Sequence, residues 1–169
     1  MAQKTSGKSK SLVIAEYFIK KSQAEGLVIT NKKLQKLLYY AQAWSLVFNG
    51  KKIFDAPIEA WVHGPAVQEV YSAYKEFGFG NITSPVNEKD LDVLAPEEKK
   101  VLEDVWKAYG KFDADYLEIL THNETPWQKA RSGIAADESC SNEISTESMK
   151  VYYERRLKEV KESGEMAQG

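Results

Sequence analysis

Apolar residues recur at helical spacing along most of the chain. Residues 12–24 place them every three or four positions, which puts them on one face of an amphipathic helix. Residues 31–48 carry a wider apolar stripe, flanked by Thr30, a common N-terminal cap, and by Asn49-Gly50, a common helix end. Because this stripe is wide, we expect the second helix to lie centrally, with neighbours on more than one side.

The second half of the chain carries start signals for four more helices. Each signal is a capping residue or a proline just before apolar residues at helical spacing, and the four are Pro96, Asp113, Thr125-Pro126 and Ser145. Proline suits a first helical turn because no backbone donor is lost there. These signals predict helices that begin at or next to those positions.

Between residues 52 and 63 the apolar period changes from helical to two. Ile58 and Val62 point one way, which predicts a short strand paired with residues 52–54 in a hairpin. From Pro65 onward the helical spacing returns, so we expect Pro65 to open the next helix.

The pattern as a whole predicts a mainly α-helical fold, a single compact domain of six to seven helices with one short β-hairpin. The length of 169 residues suits one domain, and 43% hydrophobic with 11% aromatic residues is typical of a folded protein. We expect a flexible N-terminal tail over residues 1–10, the domain over residues 11–160, and a flexible C-terminal tail over residues 161–169.

The composition indicates the cellular compartment in which the protein is expected. No apolar run approaches the roughly 20 residues that a membrane-spanning helix needs, and the first residues lack the apolar region of a secretory signal. The single cysteine, Cys140, cannot form an intramolecular disulfide, which fits a reducing compartment. We therefore expect a cytoplasmic protein without a membrane partner.

Charge is unevenly distributed, although the formal net charge is only −2. Residues 1–40 hold eight lysines and two glutamates, whereas residues 85–147 hold fifteen acids and seven bases. A basic N-terminal region is one basis for nucleic-acid binding, so a DNA-binding autoregulator is an alternative function. Charge runs more often lie on solvated helix faces, and nucleic acid is not the expected partner.

The sequence lacks the usual motifs of catalysis and metal binding. It has no Gly-x-Ser-x-Gly motif, no Gly-rich phosphate loop and no His-Glu-x-x-His pair. The acidic neighbours of Cys140 disfavour a thiolate, which argues against this residue as a nucleophile. We therefore expect no cofactor, no metal and no enzymatic activity.

The two histidines of the chain both stand before a proline-containing corner. His63 precedes Gly64-Pro65 at a predicted strand-to-helix corner, and His122 precedes Pro126 at a helix-to-helix corner. A histidine in such a place can fix the turn through hydrogen bonds of its ring nitrogens. This structural or recognition role is the favoured interpretation.

A catalytic alternative exists for the same two histidines. In a hydrolase-like enzyme their imidazoles would converge with a carboxylate into an acid-base site. The sequence offers Glu59, Glu69 and Glu124 as that carboxylate.

Tryptophan is the other residue type that indicates binding. Trp44 and Trp106 lie on helical stripes and are expected in the core. Trp61 and Trp127 stand at element ends, where they could be exposed anchors, because tryptophan dominates interface hot spots. Burial against a second layer is the favoured interpretation for both.

Four stretches in fixed order carry a family resemblance: "LQKLLYYAQAW", "IEAWVHGPAVQEVYSAYKEFG", "LEDVWKAYG" and "LTHNETPWQKAR". From about residue 12 to residue 155 the chain resembles the Panacea domain family, which includes SocA-like antitoxins and phage-associated GepA-type proteins. The most distinctive parts are His-Gly-Pro before a tyrosine-bearing helix and Thr-His before Pro-Trp.

The resemblance implies a helical antitoxin that neutralises a toxin by direct protein binding. The implied partner is a cognate toxin, with a cellular protease as a further partner if the protein is a proteolytic adaptor that delivers the toxin for degradation. A homo-oligomer stays an open alternative. The partner-binding candidates carried over by position are Tyr40, Trp61, His63, Gly64, Pro65, Tyr71, His122 and Trp127.

Overall fold

The computed structural model describes residues 7–163 of the chain. These residues form seven α-helices, two short 3-10 helices and one antiparallel pair of strands. The α-helices are α1 (Lys10–Glu25), α2 (Asn31–Phe48), α3 (Gln68–Ala73), α4 (Pro96–Tyr109), α5 (Ala114–His122), α6 (Thr125–Ala130) and α7 (Thr146–Ser163), and the 3-10 helices are Lys75–Phe77 and Glu88–Val93. The predicted mainly α-helical fold of six to seven helices with one short hairpin is confirmed.

Helices α2, α4, α5, α6 and α7 begin at or next to the residues that the sequence signals predict. The Thr30 hydroxyl accepts a hydrogen bond from the Lys33 amide at 3.1 Å, and the Asp113 carboxylate accepts one from the Tyr116 amide at 2.8 Å. Pro96 is the first residue of α4. Local capping chemistry is therefore sufficient to place these ends.

The second helix, α2, forms the centre of the molecule. It contacts α1, α4, α5, α7 and the hairpin, and most of its side chains are buried. Its buried polar side chains bond the main chain of neighbouring segments, as Gln42 does when it donates to the Phe54 carbonyl and accepts from the Ile53 amide, both at 2.8 Å. α2 therefore holds irregular segments by hydrogen bonds as well as by apolar packing.

The hairpin differs from the prediction in its second strand. β1 (Glu59–Trp61) pairs with β2 (Gly64–Ala66), so the predicted pairing with the preceding segment is wrong, and Pro65 lies in a strand instead of opening a helix. Pro65 is the register partner of Ala60, whose amide donates away from β2 to the Asn142 carbonyl at 2.8 Å. Pro65 therefore occupies a strand position that needs no backbone donor.

Both edges of the hairpin are covered. On the β1 side, the Ile144 amide donates to the Ile58 carbonyl at 2.7 Å. On the β2 side, α2 supplies side chains: Gln35 accepts from the Val67 amide at 2.7 Å. Neither strand in the described part of the chain presents the open edge that invites pairing with another chain.

The basic N-terminal region and the acidic middle region pair with each other. Lys8 contacts Glu16 and Asp90, Lys10 contacts Glu98, Lys20 contacts Glu88, Lys21 contacts Glu103, and Lys32 contacts Asp115 and Glu118. Most of these carboxylates come from the acidic region. The uneven charge along the sequence is therefore largely compensated inside the folded molecule.

The predicted tails fall mainly on residues that the structure does not describe. Residues 1–6 and 164–169 lie outside the described range, while Lys8 and Lys10 make the ion pairs given above and α7 continues to Ser163. The domain bounds stay a prediction. Over residues 7–163, no helix combines the length and apolarity needed to cross a bilayer.

Candidate functional site

The two histidines meet at one carboxylate. His63, in the two-residue turn of the hairpin, places Nδ1 3.1 Å from Oε2 of Glu118 on α5. His122, at the end of α5, places Nε2 3.8 Å from the same oxygen. Lys32 forms an ion pair with the other oxygen of Glu118. The convergence set out as the catalytic alternative is therefore present, but its carboxylate is Glu118, and not one of the three glutamates that the sequence offered.

Burial and neighbouring charges shift the pKa values of Glu118 and His122. Burial alone would raise the pKa of Glu118, but hydrogen bonds from Lys32 and His63 outweigh burial and lower it below its ordinary value. Burial lowers the pKa of His122, and the nearby Lys36 adds to this effect against the attraction of Glu118. Near neutral pH Glu118 is therefore charged, and His122 is neutral.

Lys36 lies beneath β2 and is almost fully buried, with 3% of its surface exposed. Its Nζ donates to the Pro65 carbonyl at 3.3 Å. Burial lowers the pKa of this amine to about 7, although Glu118 opposes the shift. The structure thus keeps an amine with capacity for further hydrogen bonds beside the hairpin.

Glycine is required at position 64 for two reasons, the backbone conformation and the side chains packed against it. Its φ of 110° is one that side-chain-bearing residues rarely adopt. A Cβ at this position would lie 2.5 Å from Cε of Lys36 and 3.1 Å from Oγ1 of Thr121. The His-Gly-Pro triplet therefore brings β2 into direct contact with both α2 and α5.

Helix α6 and Arg131, the residue that follows it, bind the main chain of β1. Trp127 stacks on His122 with a centroid distance of 4.0 Å, and its indole nitrogen donates to the Trp61 carbonyl at 2.9 Å. Arg131 lies over the Trp127 ring and donates to the Ala60 carbonyl at 2.9 Å. The Thr-His and Pro-Trp motif residues thus act together to position β1 and the turn.

Tyr40 belongs to a separate buried cluster. Its hydroxyl donates to Glu124 at 3.1 Å, and Tyr39 and Tyr153 also donate to this carboxylate. Burial raises the pKa of Glu124 to about 7, although the three hydroxyls oppose the shift. This cluster joins α2, α6 and α7 inside the core.

The partner-binding candidates divide by exposure. Tyr40, Gly64, Pro65 and Trp127 are buried, Trp61 and His122 are half-buried, and His63 and Tyr71 are exposed. The structure therefore brings seven of the eight to the hairpin or its supports, with only Tyr40 set apart. Their role in partner binding stays a prediction.

A large cleft opens beside the hairpin. Its volume is about 1310 Å³, and its walls include Trp61, Tyr71 and Phe79, with Lys36 and His63 among its polar groups. We call it the hairpin cleft. Small-molecule pockets are typically about 300–1,000 Å³, so this cleft has the size for several side chains of a macromolecule.

Four residues that shape this region were not predicted from the sequence. Glu118 could have been found, because it stands four positions before His122 on a predicted helix and such pairs face one another. Lys36 and Arg131 carry no such signal, since their roles depend on contacts with distant segments. Phe79 is an exposed side chain at the wall of the cleft. Residues 7–163 contain no group of three or more His, Cys, Asp or Glu side chains placed to hold a metal ion.

Comparison with known proteins agrees with the motif pattern. The family model described as "Antitoxin SocA-like, Panacea domain" matches residues 34–128, which is more than half of the chain. Antitoxin SocA of Caulobacter vibrioides (strain NA1000 / CB15N) is 28% identical over 130 residues, which cover 71% of this chain and 69% of that protein. No solved structure matches the chain significantly. The chain belongs to the family of SocA-like antitoxins with a Panacea domain.

Proposed function

We propose that this protein is an antitoxin that neutralises a cognate toxin by binding it directly. One observation carries the proposal: the distinctive motif residues of an antitoxin family assemble around one hairpin, and that hairpin borders a large cleft with exposed aromatic side chains. Exposed aromatic surface next to a rigid support is typical of protein interfaces.

The contacts of the histidines support binding over catalysis. The His63 ring holds the hairpin turn to α5, and the His122 ring stacks on Trp127 while its Nε2 is enclosed by protein. A general acid or base must reach the proton that it transfers. The observed contacts instead fix the position of the hairpin relative to α5 and α6.

Co-expression tests this function. We expect the product of the open reading frame adjacent to this gene to arrest growth when expressed alone, and co-expression of this protein to restore growth. Purified toxin and antitoxin should also form a stable complex without any third protein. A harmless neighbouring product, or rescue that requires a cellular protease and occurs without a stable complex, would contradict direct neutralisation.

A further inference from the structure

Two walls of the hairpin cleft lie on different sides of α2. Asn31, the first residue of α2, donates from its side-chain amide to the Tyr71 carbonyl of α3 at 3.0 Å. Lys32, the next residue, pairs with Asp115 in the first turn of α5 at 3.0 Å. Because successive helical residues point about 100° apart, the two contacts hold α3 and α5 on different sides. We call α3 with the segment up to Phe79 the α3 wall, and the start of α5 the α5 wall.

The two walls carry charges of opposite sign. The α3 wall presents Lys75, which is exposed and forms no hydrogen bond or ion pair within residues 7–163. The α5 wall presents Asp113 and Asp115, and the side chain of Asp115 is 87% exposed. Lys32 is shared between Asp115 and Glu118, so carboxylates outnumber amines on this wall. An occupant with both signs of charge in matching positions is therefore attracted by both walls, whereas an occupant of one sign is repelled by one of them.

Phe79 projects from the α3 wall between two glycines. It is 97% exposed, so it does not fill the cleft beside it. The cleft has a volume of about 1310 Å³, which leaves room for an aromatic side chain of another molecule. Trp61 and Tyr71, packed edge-on with a centroid distance of 5.1 Å, supply aromatic surface for such a side chain. Each molecule thus carries a protruding aromatic side chain and, next to it, a cleft that can receive one.

We propose that a second copy of this chain occupies the hairpin cleft in the free protein, related to the first by a two-fold axis that runs along the cleft. An axis in this position places the α3 wall of each copy against the α5 wall of the other. Phe79 of each copy then enters the cleft of the other, and Lys75 of each copy pairs with Asp115 of the other. Each contact is formed twice, as in the symmetric dimers that are the commonest soluble oligomers.

Other properties of the chain are compatible with this self-association. The formal net charge is only −2, so two copies repel each other weakly. Both edges of the hairpin are covered, so the copies associate through side chains and not by strand addition. The inference goes beyond the proposed antitoxin function. A toxin segment that enters the same cleft has to displace the second copy.

Sedimentation of the purified full chain, without any toxin, tests the dimer. We expect the wild type to be a dimer at about 50 μM, and Phe79→Ser, Lys75→Asp and Asp115→Lys each to raise the dimer dissociation constant by at least about tenfold, because each lost contact occurs twice. The matched controls are Lys150→Asp and Val151→Ser on α7, both exposed and outside the cleft, which should leave the constant unchanged.

An equimolar mixture of the Lys75→Asp and Asp115→Lys proteins tests the pairing of the walls. Either variant alone brings like charges together at both wall contacts, whereas a mixed dimer joins opposite charges at both. We therefore expect the mixture to sediment as a dimer at a concentration where each variant alone is a monomer. The replaced side chains are exposed, so thermal unfolding of each variant should match that of the wild type and show that it is folded.

Three results would overturn the inference. A wild type that stays monomeric at about 100 μM lacks a dimer of useful affinity. A dimer that all three cleft substitutions leave unchanged uses another surface. A mixture that stays monomeric shows that Lys75 and Asp115 do not face each other. None of these results bears on toxin binding, which the co-expression experiment tests separately.

Discussion

Gly64 and Lys36 show how single residues set the geometry of the hairpin. Gly64 has a φ of 110° and leaves no space for a Cβ, because Lys36 and Thr121 pack against it. Lys36 places its buried amine at the Pro65 carbonyl. The sequence alone indicates Gly64 as a position of permissive backbone, because it stands at a predicted strand-to-helix corner. The lysine beneath it was not, because lysine on a helix usually lies at the surface.

Replacing Gly64 with alanine should destabilise the protein. We expect the free energy of unfolding to fall by about 2 kcal/mol, from the strained backbone and the contact with Lys36 together. Gly50→Ala is the matched control, since Gly50 also has positive φ, 71°, but has open space around it. Urea unfolding of both variants measures the difference, and an equal loss in the two would contradict the packing role.

The buried amine of Lys36 should make the free energy of unfolding depend on pH. Its pKa is about 7 in the folded protein and near 10.5 in the unfolded chain, so the unfolded chain binds more protons between these values. The free energy of unfolding should therefore rise with pH in this window, by about 2 kcal/mol from pH 7 to pH 9, relative to a Lys36→Met variant. Below pH 7 the amine is protonated in both states, and the difference should level off. Parallel pH profiles for the two proteins would contradict the burial of this amine.

At the scale of elements, the sequence determines helix ends better than strand pairing. Thr30 and Asp113 each accept a hydrogen bond from the amide three positions later, and Pro96 fits a first helical turn through its fixed φ, so local sequence is sufficient to place these ends. The pairing of β1 with β2 depends on α2, on α6 and on residues 142–144, all distant in sequence. Pro65 was therefore misassigned to a helix start, because proline fits that position locally as well.

The hydrogen bonds of Arg131 indicate which two segments should open together when this side chain is replaced. Its guanidinium donates to the carbonyls of Ala60, Ala135 and Glu138, and so joins β1 to the segment before α7. We expect Arg131→Met to speed amide hydrogen exchange in residues 58–62 and 134–144, because buried carbonyls lose their donors. Lys129→Met, two positions before Arg131 on α6, is the matched control, since Lys129 is exposed. Unchanged exchange in both segments would contradict this link.

In the whole molecule, the basic N-terminal stretch and the acidic middle stretch of the sequence pair mainly with each other. The described N-terminal lysines pair with acids that lie largely in residues 88–118, or donate to main-chain carbonyls as Lys33 does to Gly110. The sequence revealed the two charge runs but not their contact, because contact depends on how α1, α2, α4 and α5 pack. The same pairing leaves the basic region less available to an external polyanion.

This pairing predicts weak binding to DNA. A protein that binds through uncompensated lysines shows affinity that falls steeply with added salt. We expect the purified protein to give no shift of its own upstream DNA at about 50 mM salt, because the described N-terminal lysines already pair with acids or donate to main-chain carbonyls. A salt-dependent shift at micromolar protein would favour the autoregulator alternative instead.

Direct binding between the two purified proteins tests the central claim most directly. Isothermal titration of this protein with the product of the adjacent open reading frame should give a saturable complex with a dissociation constant below about 1 μM, which corresponds to roughly 8 kcal/mol of binding free energy. The bound toxin should lose its activity in the same mixture, with no protease present. Absence of binding at concentrations up to about 100 μM, a level that would detect even weak complexes, would contradict the account.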